Sequence, residues 1–302
     1  MKPSSSPPRP LRPRRRSRQA AHLAGTLQAL WHAYRQEHRR CQRHCGRRSV
    51  HDLRVATRRL LAHLDLLGVL LDEAAVTKAR RLLKRRLAAF AALRDGQVQL
   101  ELVGAQLRTF PELRPLQVAL EKSERKSIAI AAQALGHDRN DKLRKQLAVV
   151  TSRLAAACAL AGADRRHGAA IARAMADRLK QAAQRQSAAG QDPDAIHRTR
   201  VAMKKYRYLL EALRPLLRRV EGRRYERLVD FQNVTGDLHD IAVLLARIES
   251  MVAKEKLEAW RTHRFRETLV RRRATLLNSY GQLARELFAQ RAAALQFELQ
   301  RA

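Results

Sequence analysis

The fold of this chain is decided by a stretch that occurs twice, HDLRVATRR at residues 51–59 and HRTRVAMKK at residues 197–205. The two copies lie 146 residues apart and keep the histidine, the arginine, the valine and two adjacent cations in register. A second match follows at a shift of 145 residues, where Leu93-Arg94-Asp95 corresponds to Leu238-His239-Asp240. Two matches at nearly one offset indicate an internal duplication, so we expect both halves to build the same substructure.

Outward from these stretches the sequence pattern is helical. Alanine, leucine, arginine, glutamine and glutamate dominate from about residue 20, and apolar residues recur at spacings of three and four. The candidate helices are 20–40, 50–71, 75–93, 96–108, 112–135, 139–161, 165–188, 194–214, 221–236, 238–253 and 258–297. We therefore predict an all-α fold in which each half is a helical bundle and the halves pack about a pseudo-two-fold axis.

These helices predict a single domain at residues 19–300. Its first half covers about 20–135, a connecting helix covers about 139–161, and its second half covers about 165–298. Residues 1–18 contain seven cations and no acid among prolines and serines. Such a segment cannot bury a core, so we expect a disordered basic tail that can bind nucleic acid non-specifically.

Two helix starts in the second half carry local signals. Asp192 before Pro193 combines a capping carboxylate with a proline at the first helical position. Gly236 followed by Asp237, with Asp240 three residues later, resembles the start of a new helix. We therefore predict a loop before Pro193 and a break at Gly236.

The charge balance indicates a polyanionic partner. The chain has 62 lysines and arginines against 28 acids, which gives a formal net charge of +34. Such a charge weakens the compact state through self-repulsion, and an anionic partner relieves that repulsion. Nucleic acid, polyphosphate and an anionic membrane surface all satisfy this requirement.

Helix geometry collects the cations of each repeat on one face. At 100° per residue, His51, Arg54 and Arg58 fall within one arc, while leucines occupy the opposite face. Like charges at these spacings repel one another, and the sequence places few acids nearby to neutralise them. We therefore interpret the duplicated stripe as an anion-binding site. Its residues are Arg54, Arg58, Arg59, Arg200, Lys204 and Lys205.

Helix 75–93 adds further cations, including Arg81 and Arg85. They extend the same surface if this helix packs beside the first stripe. Two bundles that face each other would then line a shared basic groove, which suits a long and flexible anion. Arginine would hold phosphate oxygens with its fork of donors, and lysine would supply a point charge.

The doubled motif resembles the two signatures of the CHAD domain, the conserved histidine α-helical domain. The resemblance covers roughly residues 20–298 and implies two four-helix bundles related by pseudo-two-fold symmetry, with a basic central groove or cavity. It also implies binding of inorganic polyphosphate and association with polyphosphate granules. Carried over position by position, it implies the ligand-facing set His51, Arg54, Arg58, Arg59, His197, Arg200, Lys204, Lys205 and Arg207.

The two signature histidines permit two compatible roles, contact with the ligand or a hydrogen bond to a neighbouring helix. We hypothesise that a bound polyanion raises the pKa of His51 and His197 and so strengthens binding as the pH falls from 8 to 6.

No pattern in the sequence supports catalysis or a cofactor. A glycine loop that cradles phosphate and a nucleophile elbow are both missing. His239-Asp240 resembles the metal-binding pair of a phosphohydrolase, but its counterpart is Arg94-Asp95, so we expect Asp95 and Asp240 to cap helices or brace basic side chains. The cluster His38, Cys41, His44 and Cys45 has metal-ligand spacing but lies among arginines, so we expect an exposed helix end and no metal.

Nucleic-acid binding is the main alternative, and a polyphosphate phosphohydrolase is a less favoured one. Nucleic-acid readers commonly stack bases on aromatic residues, which are only 4% of this chain. We expect Trp31, Trp260, Phe90 and Phe231 to lie in the core. Three cysteines and the lack of an apolar run of about 20 residues predict a cytoplasmic protein that does not span a membrane.

Overall fold

The computed structural model describes residues 18–71, 73–137, 140–160, 162–214 and 222–288, and no β-strand occurs within these ranges. The basic tail predicted for residues 1–18 lies outside them except for Arg18, which begins the first helix. The helices are α1 (Arg18–Arg43), α2 (Arg47–Leu70), α3 (Glu73–Ala89), α4 (Ala91–Gly104), α5 (Arg114–His137), α6 (Asp141–Cys158), α7 (Ala163–Ser187), α8 (Pro193–Leu213), α9 (Gly222–Ala253) and α10 (Ala259–Phe288). The all-α prediction is therefore confirmed.

The N-terminus of α8 forms as the sequence predicts. The Asp192 carboxylate accepts hydrogen bonds from the backbone N–H groups of Asp194, at 3.2 Å, and Ala195, at 3.0 Å. Pro193 occupies the first turn, where it has no N–H to leave unsatisfied. This cap fixes where α8 begins and therefore sets the direction in which its basic residues project.

The helix break predicted at Gly236 is wrong, because α9 runs without interruption from Gly222 to Ala253. A methyl group built on Gly236 would lie 3.5 Å from Nη2 of Arg200. The guanidinium of α8 therefore packs over Gly236, at a distance where an alanine would make ordinary contact, and the glycine does not end the helix. The corresponding place in the first half does contain a boundary, since α3 ends at Ala89 and α4 begins at Ala91.

The apolar side chains form two clusters, and each cluster draws on both sequence halves. The larger one includes Leu60 and Leu64 of α2 together with Leu209 of α8. The smaller one joins α4 and α5 to α9 and α10, with Leu100 packed in the same cluster as Ile241. Contacts across the halves also link α2 to α8 and α4 to α9. The assignment of one four-helix bundle to each half stays a prediction, as do the domain boundaries.

Within the described ranges no single helix is long and apolar enough to cross a membrane. The pair α6 and α7, which meet at an angle of 118°, satisfies the length and composition requirement only when the two helices are taken together.

Candidate anion-binding site

The two basic stripes meet where α2 packs against α8. Arg58 of α2 lies close enough to Arg200 and Lys204 of α8 to lower the pKa of both. Cations that are 146 positions apart in the sequence therefore share one surface. We call the group Arg54, Arg58, Arg200 and Lys204 the central cluster.

Lys204 is the most perturbed cation of the central cluster. Its pKa falls to about 7, first because burial disfavours the charged ammonium and then because Arg200, Arg58 and Arg207 repel it. Asp240 opposes the shift only in part. A proton on Lys204 is therefore held weakly at neutral pH, and a nearby anion would strengthen its hold.

The arginines of the two repeats occupy similar surroundings. Burial lowers the pKa of Arg54 to about 10, with repulsion from Arg58 as the next cause, while Asp95 of α4 opposes the shift. Burial also lowers the pKa of Arg200, and here Asp240 of α9 gives the largest opposing effect. The predicted bracing role of Asp95 and Asp240 agrees with these interactions. Both carboxylates lie inside helices rather than at their ends, so they do not act as caps.

Each arginine is positioned differently in detail. Nη1 of Arg54 donates a hydrogen bond of 2.9 Å to the backbone carbonyl of Leu87 in α3. Nε of Arg200 is buried and has no hydrogen-bond partner among the described residues. A buried guanidinium whose charge is favoured by nearby carboxylates and which retains an unused donor can bind an incoming oxyanion.

The signature histidines lie beside a second basic residue. Burial lowers the pKa of His51, followed by repulsion from Arg94 of α4. Burial likewise lowers the pKa of His197, followed by the effect of His239, whose ring centroid lies 4.2 Å away. Both histidines therefore favour the neutral form near pH 7, which is the starting state that our proton-uptake hypothesis requires.

Arg59 and Lys205 lie apart from the central cluster. Nε of Arg59 is 3.8 Å from Oε2 of Glu211 in α8. Lys205 projects toward Asp65 of α2 and is surrounded by Arg178 and Arg185 of α7. Adjacent helical positions differ by about 100°, so Lys204 and Lys205 cannot face the same groove.

Arg207 extends the second stripe toward the edge of the site. Its Nε lies 3.4 Å from Oε1 of Glu211, and its guanidinium lies 5.2 Å from the centre of the Tyr208 ring. Tyr225 donates a hydrogen bond of 3.0 Å to the same Glu211 carboxylate. Glu211 therefore holds two of the predicted ligand cations, Arg59 and Arg207.

The two candidates on α3 differ in position. Arg85 is exposed and borders a cavity that Arg54 also lines. Arg81 is exposed, and no contact joins it to the central cluster. The structure therefore brings Arg85 near one member of the central cluster and leaves Arg81 apart from it.

Several residues of the site were not assigned a ligand role from the sequence. Arg94 acts on both His51 and Asp240, and the ring of His239 lies tilted beside that of His197. The repeated Leu-x-Asp stretch was the signal that located them, but their distance from the stripes could not be read from it.

The core position predicted for Trp260 is wrong. Trp260 is 63% exposed near the start of α10, where the Arg261 guanidinium lies 4.5 Å from the ring centre. Phe90 and Phe231 are buried as predicted, and Trp31 is partly buried and stacks on Tyr34. Trp260 occupies an apolar position in the helical pattern of the sequence. In the structure the Arg261 guanidinium covers its ring in place of an apolar contact, and helix amphipathicity does not predict this.

The site can bind anions through a concentration of cations from α2 and α8. Its carboxylates, Asp95 and Asp240, interact with arginines. Within the described ranges, no group of three or more histidines, cysteines or acids is arranged to hold a metal ion. The exposed helix end predicted for His38, Cys41, His44 and Cys45 is wrong for the first two residues, which are buried in α1, whereas His44 is exposed.

Comparisons with known proteins agree with the repeated motif. The family model of the CHAD domain matches residues 15–249 of this chain. The crystal structure of the CHAD domain from the plant Ricinus communis is similar, with a TM-score of 0.67, 21% identity, and coverage of 90% of this chain and 92% of that one. PptA from Streptomyces chartreusis is similar with a TM-score of 0.60, 19% identity, and coverage of 90% and 98%. At these identities the structural likeness concerns the fold alone. No curated protein matches the chain.

Proposed function

The chain belongs to the CHAD domain family, and from this membership we propose that it binds inorganic polyphosphate without catalysing a reaction on it. The observation that carries the proposal is the repulsion between Arg58 of α2 and Lys204 of α8. Burial and repulsion by neighbouring cations make the charged form of Lys204 costly in the unliganded state, and a string of phosphates removes that cost.

The arrangement suits a repetitive anion better than a single phosphate. The central cluster takes cations from two helices, and Arg59 and Arg207 continue the charge along α2 and α8 beyond it. A flexible polymer with one charge per repeating unit can engage such separated cations in succession. Arginine can bind two phosphate oxygens at once, whereas Lys204 contributes a point charge that becomes stronger when protonated.

Family membership also supports a cellular setting. We propose a cytoplasmic protein that associates with polyphosphate granules, in line with the resemblance of the motif. The protein would act by holding the polymer, because the carboxylates of the site are engaged with arginines and offer no metal-assisted hydrolysis.

The decisive experiment is competition binding at near-physiological salt. Long-chain polyphosphate competes against single-stranded and double-stranded DNA and RNA, with a chain lacking residues 1–18 so that the basic tail does not contribute. We expect polyphosphate to bind at least about a hundredfold more tightly than nucleic acid, and the salt slope to be near 0.7–0.9 per neutralised phosphate.

A double charge reversal, Arg54→Glu with Arg200→Glu, tests where the polymer binds. Its matched control is Arg153→Glu with Arg271→Glu, which changes the net charge equally at exposed positions on α6 and α10. Loss of polyphosphate binding in Arg54→Glu with Arg200→Glu, but not in the control, would support the central cluster as the binding site. Equal loss in both variants, or equal competition by nucleic acid, would identify a general polyanion binder instead. Release of phosphate from the polymer would contradict the proposal that the protein binds polyphosphate without catalysing a reaction on it.

A further inference from the structure

A cavity of about 850 Å³ lies between helices of the first half of the chain and the connecting helix α6, beside the α2–α8 groove. Residues of α1, α2, α3, α5 and α6 line it, together with Phe90 between α3 and α4, and no described residue of α7 to α10 takes part. This volume lies within the range that holds a small ligand in other proteins. Arg54, which belongs to the central cluster, also lines this cavity, so the two regions adjoin but do not coincide.

The cavity is apolar at its base and cationic at its mouth. Its buried wall includes Leu53, Phe90 and Leu135, which are at most 4% exposed. Arg85, Lys142 and Lys145 line the cavity from exposed positions. Among the described lining residues the one carboxylate is Asp141, which lies 3.6 Å from Arg144.

Three polar side chains at the base, those of Thr57, Tyr34 and Arg86, make hydrogen bonds within the protein. The Thr57 hydroxyl donates to the carbonyl of Leu53 at 2.6 Å. The Tyr34 hydroxyl accepts a hydrogen bond from Arg86, which also donates to Oδ1 of Asn140 at 2.8 Å. A ligand that enters the cavity therefore meets an apolar surface at the base, and the exposed cations at the mouth, Arg85, Lys142 and Lys145, are its most accessible charged partners. This polarity suits an aliphatic body better than a purine, because a buried purine needs hydrogen-bond partners.

At the corresponding place in the second half, a buried aromatic ring stands where the first half has Arg86. At a shift of 145 residues, Arg86 corresponds to Phe231. Phe231 is fully buried and packs against Tyr280 and Phe288, with ring centres 5.6 Å and 5.9 Å away. A cavity that served the duplicated basic site would be expected in both halves. The replacement of Arg86 by a buried ring in the second half therefore indicates a separate use for the cavity of the first half.

We propose that this cavity binds a small anionic amphiphile, with an aliphatic body at the base and a phosphate or carboxylate head beside Lys142 and Lys145. The apolar wall would supply most of the binding free energy through burial of the ligand's chain. The exposed lysines would set the orientation, because Arg86 at the base already donates to Tyr34 and Asn140. The proposal does not depend on polyphosphate binding, since neither lysine belongs to the duplicated stripe.

Titration calorimetry with the full chain tests the ligand class. Decyl phosphate, kept below its micelle-forming concentration, is compared with decyl maltoside, inorganic phosphate and adenosine monophosphate. We expect decyl phosphate to bind with one-to-one stoichiometry and at least about tenfold more tightly than each of the others, because only it combines an aliphatic chain with an anionic head. Equal or tighter binding of adenosine monophosphate would overturn the aliphatic assignment, and equal binding of decyl maltoside would overturn the anionic one.

Three variants locate the site. Lys142→Gln with Lys145→Gln should weaken decyl phosphate binding about tenfold, since two surface charge contacts are lost. The matched control, Lys122→Gln with Lys126→Gln, removes the same charge from exposed positions on α5 that do not line the cavity. Ala134→Phe should fill the cavity and abolish binding while thermal unfolding remains unchanged.

The outcomes of these variants separate the two proposals. Unchanged decyl phosphate binding in Ala134→Phe, or equal weakening in the two lysine pairs, would overturn the cavity assignment. The affinity for polyphosphate should be the same in the two lysine pairs, because both remove the same surface charge outside the central cluster. A failure of the amphiphile proposal would therefore leave the polyphosphate proposal independently testable.

Discussion

Arg59 of α2 and Glu211 of α8 lie side by side, with Nε 3.8 Å from Oε2. The reciprocal relationship occurs between Lys205 of α8 and Asp65 of α2, because Lys205 corresponds to Arg59 and Glu211 to Asp65 at the same shift of 146 residues. When two copies meet about a two-fold axis, residue i of one copy contacts residue j of the other and the reverse. These two pairs therefore follow the pattern of a pseudo-two-fold relation between α2 and α8.

The repeats keep these positions but have diverged in chemistry. Asp65 pairs with Arg80 at 2.7 Å, whereas the corresponding Glu211 accepts from the hydroxyl of Tyr225 at 3.0 Å. Two cations of α7, Arg178 and Arg185, also lie near Lys205. Glu211 lies near both Arg59 and Arg207 and therefore competes with an incoming anion for these two cations.

Removal of that carboxylate should strengthen polyphosphate binding. Glu211→Gln frees Arg59 and Arg207 from a competing anion, and a surface ion pair is worth roughly 0.2–1 kcal/mol. We expect the affinity to rise about threefold in a titration at constant ionic strength. Glu249→Gln, which removes the same charge from an exposed pair with Arg266, should give a smaller change. Equal gains in both variants would show that net charge alone is responsible.

The charge on Lys204 should lower the free energy of unfolding of the unliganded protein, and the same charge should contribute to anion binding. Because its pKa in the folded state falls to about 7 from 10.5, the charged form destabilises the fold fully below pH 7. Lys204→Met should therefore raise the free energy of unfolding at pH 6 by about 2 kcal/mol after allowance for solvent screening. The gain should shrink as the pH rises from 7 toward 10, where the folded parent protein has lost the proton. Denaturant titrations at several pH values measure it, and a gain that grows with pH would contradict the assignment.

Polyphosphate affinity should depend on pH through the same lysine. Lys204 is charged below pH 7 in the free protein and loses its proton above it, while a bound polyanion keeps the proton in place. We expect the affinity to fall about fivefold as the pH rises from 7 to 8.5. Lys204→Arg should flatten the profile in this interval because arginine remains charged. Lys122→Arg is the control and should retain the parent profile. A parent profile that is already flat above pH 7 would exclude linkage to Lys204.

Substitutions of Gly236 should distinguish an effect on helix stability from an effect on the position of Arg200. Gly236→Ala adds a methyl group at ordinary contact distance from Nη2, 3.5 Å, and removes glycine from a helix interior. It should stabilise the protein by about 0.5–1 kcal/mol and leave binding unchanged. Gly236→Leu should displace the guanidinium and weaken polyphosphate binding about tenfold. Gly25→Leu on α1, where a side chain would meet nothing within 4 Å, is the matched control. Unimpaired binding in Gly236→Leu would show that Arg200 does not contact the polymer from its observed position.

The positions of the helices and the existence of two basic stripes followed from the sequence. Helical periodicity and capping are local properties, so residues a few positions apart indicate them, as the Asp192 cap shows. The duplication was visible because the two copies of the motif retained their order. The break assigned to Gly236 failed because a glycine inside a helix and a glycine after one look alike until the neighbouring helix is placed. In this chain the neighbour is Arg200.

The sequence by itself determined an all-helical chain with two equivalent cationic faces. The tertiary structure alone decided which cations meet, because contacts such as that between Arg58 and Lys204 join residues that are more than a hundred positions apart. It also decided that Lys205 faces α7 while Lys204 faces the centre, and that a cavity opens beside Arg54 in the first half. Burial and repulsion depend on distances between helices, and no local pattern contains those distances.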